Sequence, residues 1–166
     1  MAKLQSTKLR IPPQSMDSEK AVLGSLMVRP GAIIDIAETL SPDSFYSARH
    51  KIIYQAMLDL VAKSQPIDLV SMMHLLSERK EIDNIGGASY LSELVATVPS
   101  ATNVAHYASI VEKKYILREL IDAGDFVSDL GFSESDETVE NIMDGAEKRI
   151  FSITSAPKGQ KFVSIR

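Results

Sequence analysis

Apolar side chains recur along this chain at spacings of three and four, so helices are the predicted element throughout. A first stripe (Val22, Leu23, Leu26, Met27) predicts a helix over residues 16–27. Ser15 has the residue type of its N-cap, and Asp17 and Glu19 stand in the first turn, where carboxylates complement the helix dipole. Pro30-Gly31 breaks that helix, and Ile33, Ile34, Ala37 and Leu40 predict a short second one ending near Ser41-Pro42. Phe45 and Tyr46 follow in a turn and are expected to plug a core. A third helix over 48–63 carries Ile53, Met57 and Leu60. A fourth is capped by Asp68 and buries Leu69, Met72, Met73 and Leu76. Gly86-Gly87 separates a fifth, with Tyr90, Leu91, Leu94 and Val95, which stops before Pro99.

From Val104 to Leu130 only the single Gly124 opposes helix, and at 1.5 Å per residue this predicts a rod of roughly 40 Å, longer than one small core. Tyr107, Ile110, Leu117 and Ile121 fall near a heptad seam interrupted by Lys114. Gly131 and the cluster Ser133 to Asp136 predict the turn, and a last helix over 137–153 carries Val139, Ile142, Met143, Ala146, Ile150 and Ile153. The expected fold is therefore all-α: an extended arm over 1–14, basic and then proline-rich (Lys3, Lys8, Arg10, Pro12, Pro13), a compact multi-helix head over 15–103, and a long antiparallel helical hairpin over 104–154. A hairpin that outruns its head cannot bury its own stripe, which predicts pairing with the hairpin of a second copy. Tyr107, Ile110, Leu117, Ile121, Ile142, Ala146 and Ile150 are the candidate self-association residues. Residues 155–166 have linker composition and then, from Phe162, Val163 and Ile165, the start of another apolar pattern, expected to continue in a longer chain.

Composition narrows the chemistry. With 18 Lys and Arg against 22 Asp and Glu, the net charge of the 166 residues is −4, which weighs against a free-standing, non-specific phosphate binder. The absence of cysteine rules out thiol nucleophiles, Cys-ligated zinc and disulfides. No run of about 18 apolar residues offers a membrane span, and no secretory leader is recognisable, so a cytoplasmic location without membrane association is expected. No Gly-Lys pair exists for a P-loop, and Gly86-Gly87 reads as a turn between helices. His50, His74 and His106 are isolated, one to a helix, and read as surface or satisfied core residues. Glu112, Glu119, Asp122, Asp125 and Asp129 cluster, but they spread around the helix as a solvated acidic face rather than an acid/base pair. No catalytic, cofactor-binding or metal-binding residue is expected. Helix, turn and helix over Leu91 to Ile110 superficially match a DNA-reading motif, yet the second helix opens with Val104-Ala105-His106-Tyr107 instead of Arg, Lys, Asn or Gln.

Several blocks in order resemble the opening of the DnaB-like family of bacterial replicative DNA helicases. They are Arg10-Ile11-Pro12-Pro13-Gln14-Ser15 with Glu19 and Ala21-Val22-Leu23-Gly24, then Asp43-Ser44-Phe45-Tyr46, His50-Lys51-Ile52-Ile53 and Pro66-Ile67-Asp68-Leu69-Val70. Gly86-Gly87-Ala88-Ser89-Tyr90-Leu91 follows, then Val98-Pro99-Ser100-Ala101-Thr102-Asn103-Val104-Ala105-His106-Tyr107-Ala108, Leu117-Arg118-Glu119-Leu120-Ile121 and Ala146-Glu147-Lys148-Arg149-Ile150-Phe151. The resemblance implies a helical N-terminal domain that joins a collar on a hexameric ring. It also implies a RecA-like motor, absent from this chain, that binds ATP and Mg. Implied partners are further copies of the chain, as a dimer or a hexamer, a DnaG-type primase and, in some lineages, a helicase loader; little direct DNA binding is expected of this part. Ile116, Glu119 and Asp122 are the candidate primase contacts. The competing readings are a stand-alone helical adaptor and a helix-turn-helix DNA-binding module.

Overall fold

The computed structural model describes residues 10–98 and 103–155. The sequence expectations for Lys3 and Lys8, for the turn at 99–102 and for the segment 156–166 lie outside those residues. All regular structure among the described residues is helical: α1 (Met16–Val28), α2 (Ile33–Ala37), α3 (Ala48–Ala62), α4 (Leu69–Glu78), α5 (Gly87–Ala96), α6 (Val104–Phe132) and α7 (Val139–Ser155), with 3₁₀ turns at Pro30–Ala32 and Pro42–Ser44. The predicted starts and stops hold for physical reasons. Ser15 sits in extended backbone and its hydroxyl accepts the Ser18 N–H at 3.3 Å. Asp68 accepts the Ser71 N–H at 2.7 Å, and that bond draws its carboxyl below the usual range. Gly86 opens α5 at φ 97°, where a side chain would be strained and a Cβ would press on Tyr90.

Two helices depart from expectation. The second spans only Ile33–Ala37, because the 3₁₀ turn at Pro30–Ala32 takes up its first residues. The long helix runs through Gly131 to Phe132, so the turn is made by residues 133–138.

The head core gathers Leu23 and Leu26 of α1, Ile53, Tyr54, Met57 and Leu60 of α3, Met72 and Leu76 of α4, and Leu91 and Leu94 of α5, all buried. Burying each such side chain contributes about 1.5–3 kcal/mol. Phe45 plugs this core beside the Tyr54 ring (centroids 5.0 Å apart), and the Tyr54 hydroxyl donates to the Leu40 carbonyl at 2.9 Å. Tyr46 does not join it: its ring is turned outward. The head also reaches past residue 103, for Val104, Ala108 and Val111 complete the same core and Tyr107 packs against it. The first turns of α6 therefore belong to the head, with Asn103, Ala105, His106 and Ser109 as their exposed positions. That leaves no row of long donor side chains for a DNA groove.

Beyond the head, α6 and α7 run antiparallel. The Arg149 guanidinium lies 5.8 Å from the centre of the Phe126 ring, as the short connection at 133–138 requires. No helix among the described residues is long and apolar enough to cross a membrane.

Candidate interaction surface at the neck and hairpin

A buried polar pin holds the head in register. Glu19, expected as a first-turn carboxylate complementing the helix dipole, stands in that turn and is also buried: its oxygens accept the Tyr46 N–H (2.9 Å) and the Ser47 N–H (3.3 Å) and lie 2.7 Å from His50 Nδ1. His50 Nε2 lies 2.6 Å from the Tyr90 hydroxyl. Both ring nitrogens of His50 are thus engaged, Nδ1 with the Glu19 carboxyl and Nε2 with the Tyr90 hydroxyl. The Arg49 guanidinium covers the other face of Tyr90 at 3.7 Å. Burial, above all, holds the Tyr90 phenol above its ordinary range, with Arg49 opposing and Glu93 and Glu19 assisting. The carboxylate–histidine–hydroxyl sequence has the composition of a catalytic triad, but every member is enclosed, so its chemistry is structural: it ties α1, α3 and α5 to the Tyr46 turn. His74 and His106 are exposed, and no group of His, Asp and Glu among the described residues is placed to hold a metal ion.

The turn fixed by this pin forms one wall of a groove at the neck, where α6 leaves the head. Arg118 cements it: Nη1 donates to the Pro13 carbonyl (2.7 Å) and Nη2 to the Ser44 carbonyl (2.9 Å), so one planar side chain joins the N-terminal arm, the Pro42–Ser44 turn and α6. Its guanidinium also lies 5.4 Å from the Tyr46 ring centre and 5.8 Å from that of Tyr115. The groove, about 520 Å³, is lined by the apolar and aromatic Ile11, Pro12, Phe45, Tyr46, Tyr115 and Ile121 and by the charged Arg10, Lys51, Asp43, Glu119 and Asp122. Burial raises the Tyr115 hydroxyl above its ordinary range, and the carboxylates of Glu119 and Asp43 add to the shift.

The structure sorts the candidate residues. Glu119 and Asp122 meet at the groove, while Ile116 stands seven residues before buried Ala123 and so shares the face turned to α7. Tyr107 is partly buried against the head core, and Ala146, 9 % exposed, is the buried position of α7 as Ala123 is of the outer part of α6. Ile142 is half-buried, as are Ile110 and Leu117, whereas Ile121 and Ile150 are about half exposed.

Sequence reasoning missed the larger part of the open surface. Leu120, Phe126, Phe132, Val139, Met143 and Phe151 are exposed along the hairpin, Phe132 by 86 %. Phe132 was hidden in an expected turn, and the rest differ from core positions only by which face α7 covers.

Comparison with known proteins agrees with this architecture. The family model "DnaB-like helicase N terminal domain" matches residues 11–113. The replicative DNA helicase DnaB of Geobacillus stearothermophilus is 39% identical over 157 residues, covering 95% of this chain, and the replicative DNA helicase DnaC of Bacillus subtilis is 38% identical over the same length. The chain spans about a third (34%) of each of these relatives. The crystal structure of the N-terminal domain of DnaB helicase from Mycobacterium tuberculosis superimposes with a TM-score of 0.80 at 38% identity, covering 85% of this chain and 99% of that one. A DnaB-like replicative helicase, solved in a study of its interactions with primase, superimposes with a TM-score of 0.70 at 26% identity, covering 86% of this chain and 32% of that one. With more than half of its residues matched by that model and its helical head and hairpin shared with those structures, the chain belongs to the DnaB-like replicative helicase family, as its N-terminal domain.

Proposed function

We propose that this chain is a non-catalytic oligomerisation and primase-docking module of a cytoplasmic, hexameric replicative helicase, whose ATP- and Mg-dependent unwinding motor belongs to the part of the relatives beyond this chain's span. The carrying observation is the hairpin: Leu120, Ile121, Met143 and Ile150 are each left about half exposed by the described residues. The DnaB-like replicative helicase solved in a study of its interactions with primase supports the second half of the reading. A primase held at the neck or the hairpin gains effective concentration at the template without any catalytic group here. Helicase loaders would compete for the same surfaces. Ten Asp and Glu and no Lys or Arg between residues 119 and 147 make the hairpin a poor grip for phosphates, which suits a collar past which a strand slides.

Multi-angle light scattering over a dilution series, with and without the helicase-binding domain of a DnaG-type primase, tests both halves. Self-association and a stoichiometric primase complex are expected. Ile121→Glu should weaken self-association at least tenfold, about 1.4 kcal/mol, while the far-UV spectrum is unchanged. A chain that stays monomeric at every concentration refutes the oligomerisation half, and tight, salt-sensitive DNA binding by the chain refutes the sliding collar.

A further inference from the structure

We infer that the outer hairpin, residues 123–147, is an opening unit of its own: α6 and α7 part and lose their helix there while the head stays folded. Burial is the first ground, because local opening costs little where few apolar side chains lose their cover. Between 123 and 147 only Ala123 and Ala146 are buried, and each offers a single methyl group; Val127, Leu130 and Ile142 are half-buried. In the head, by contrast, α1 and α3 bury Leu23, Leu26, Ile53, Tyr54, Met57 and Leu60 almost completely.

Helix propensity is the second ground. Gly124 and Gly145 stand inside α6 and α7, and glycine is a poor helix former. At either position a Cβ would meet nothing beyond the helix itself, so packing within the chain does not ask for glycine there. Charge is the third. Asp122, Asp125 and Asp129 follow at spacings of three and four on α6, and Glu140, Asp144 and Glu147 at four and three on α7. Neighbours at those spacings share a helix face, and like charges there oppose the helix. Arg118, Lys148 and Arg149 flank the stretch, Arg149 beside the Phe126 ring, and no Lys or Arg lies within it.

An opening unit has a use at this place. Phe126, Phe132, Val139 and Met143 stay exposed while the unit is closed, so a partner that covers them also holds the two helices together. Docking there is coupled to folding, and its affinity is scaled by the fraction of free chains in which the unit is closed.

Hydrogen exchange of the whole chain, read by mass spectrometry of its peptides at one chain concentration, tests this, because opening of a unit exposes its amides together. Amides over 123–147 should exchange at least about 100-fold faster than those of α1 and α3. Gly124→Ala and Gly145→Ala should each slow them about fivefold and leave the head unchanged. Asp125→Lys turns two repulsions, with Asp122 and Asp129, into attractions. It should slow the same amides by a similar factor at low salt, and the gain should shrink in about 1 M salt, where the Debye length is about 3 Å. Exchange over 123–147 as slow as in α1 and α3, or unmoved by all three substitutions, overturns the inference.

Discussion

Replacing Glu19 by Gln changes one atom in the centre of the head and should be among its costliest isosteric substitutions. The carboxylate serves two backbone N–H groups, of Tyr46 and Ser47, and the His50 ring, with both side chains of the pair essentially out of solvent. An amide of the same shape keeps one acceptor oxygen and turns an NH₂ toward donors. Losing a charge-assisted bond removes about 1.5–3 kcal/mol, and a buried donor left without a partner adds about 1–3 kcal/mol. The sum, about 2.5–6 kcal/mol, is a large part of the 5–15 kcal/mol that is the order of a domain's whole stability. Urea unfolding followed by circular dichroism, at one chain concentration for all variants, should show the midpoint falling by about 1.2–3 M for a slope of about 2 kcal/mol per M. Asp17→Asn, an exposed carboxylate two residues earlier, should change stability by no more than about 0.5 kcal/mol. A cost for Glu19→Gln below about 1 kcal/mol would refute the pin.

Three further outcomes follow from particular contacts. Gly24→Ala would drive a methyl group into the Leu94 carbonyl and the Val98 side chain, where α1 crosses α5, and should cost about 1–3 kcal/mol in the same unfolding assay. Arg118→Gln removes at least one of the two carbonyl bonds at the neck; hydrogen exchange should quicken at 10–14 and 43–46 while Tyr54 and its neighbours stay protected. Tyr54 and Tyr90 are held above their ordinary range chiefly by burial, so the folded chain keeps their protons where the unfolded chain loses them. The stability they contribute is full below about pH 10, the ordinary phenol value, and lost as pH rises beyond it; Tyr54→Phe should flatten that alkaline decline, read as urea midpoint against pH.

Local chemistry settled the elements. Periodicity, the caps at Ser15 and Asp68, and the breaks at Pro30 and Gly86 are properties of short segments, and they located α1, α3, α4, α5 and the two long helices within a few residues. The length of α6 against the small head, also local information, required a hairpin with an uncovered side. Nothing local distinguished Glu19 from Asp17, or Tyr46 from Phe45, because burial depends on partners 27 and 31 residues away that only the folded chain brings together. The neck groove is likewise a tertiary object: Arg118 reaches across 105 residues to Pro13 and 74 to Ser44, and no spacing rule foretells such a clamp. Which of the apolar hairpin positions are covered and which face water was decided by how α6 and α7 pack, with Ala123 and Ala146 the buried positions, a choice made between two helices and invisible in either one.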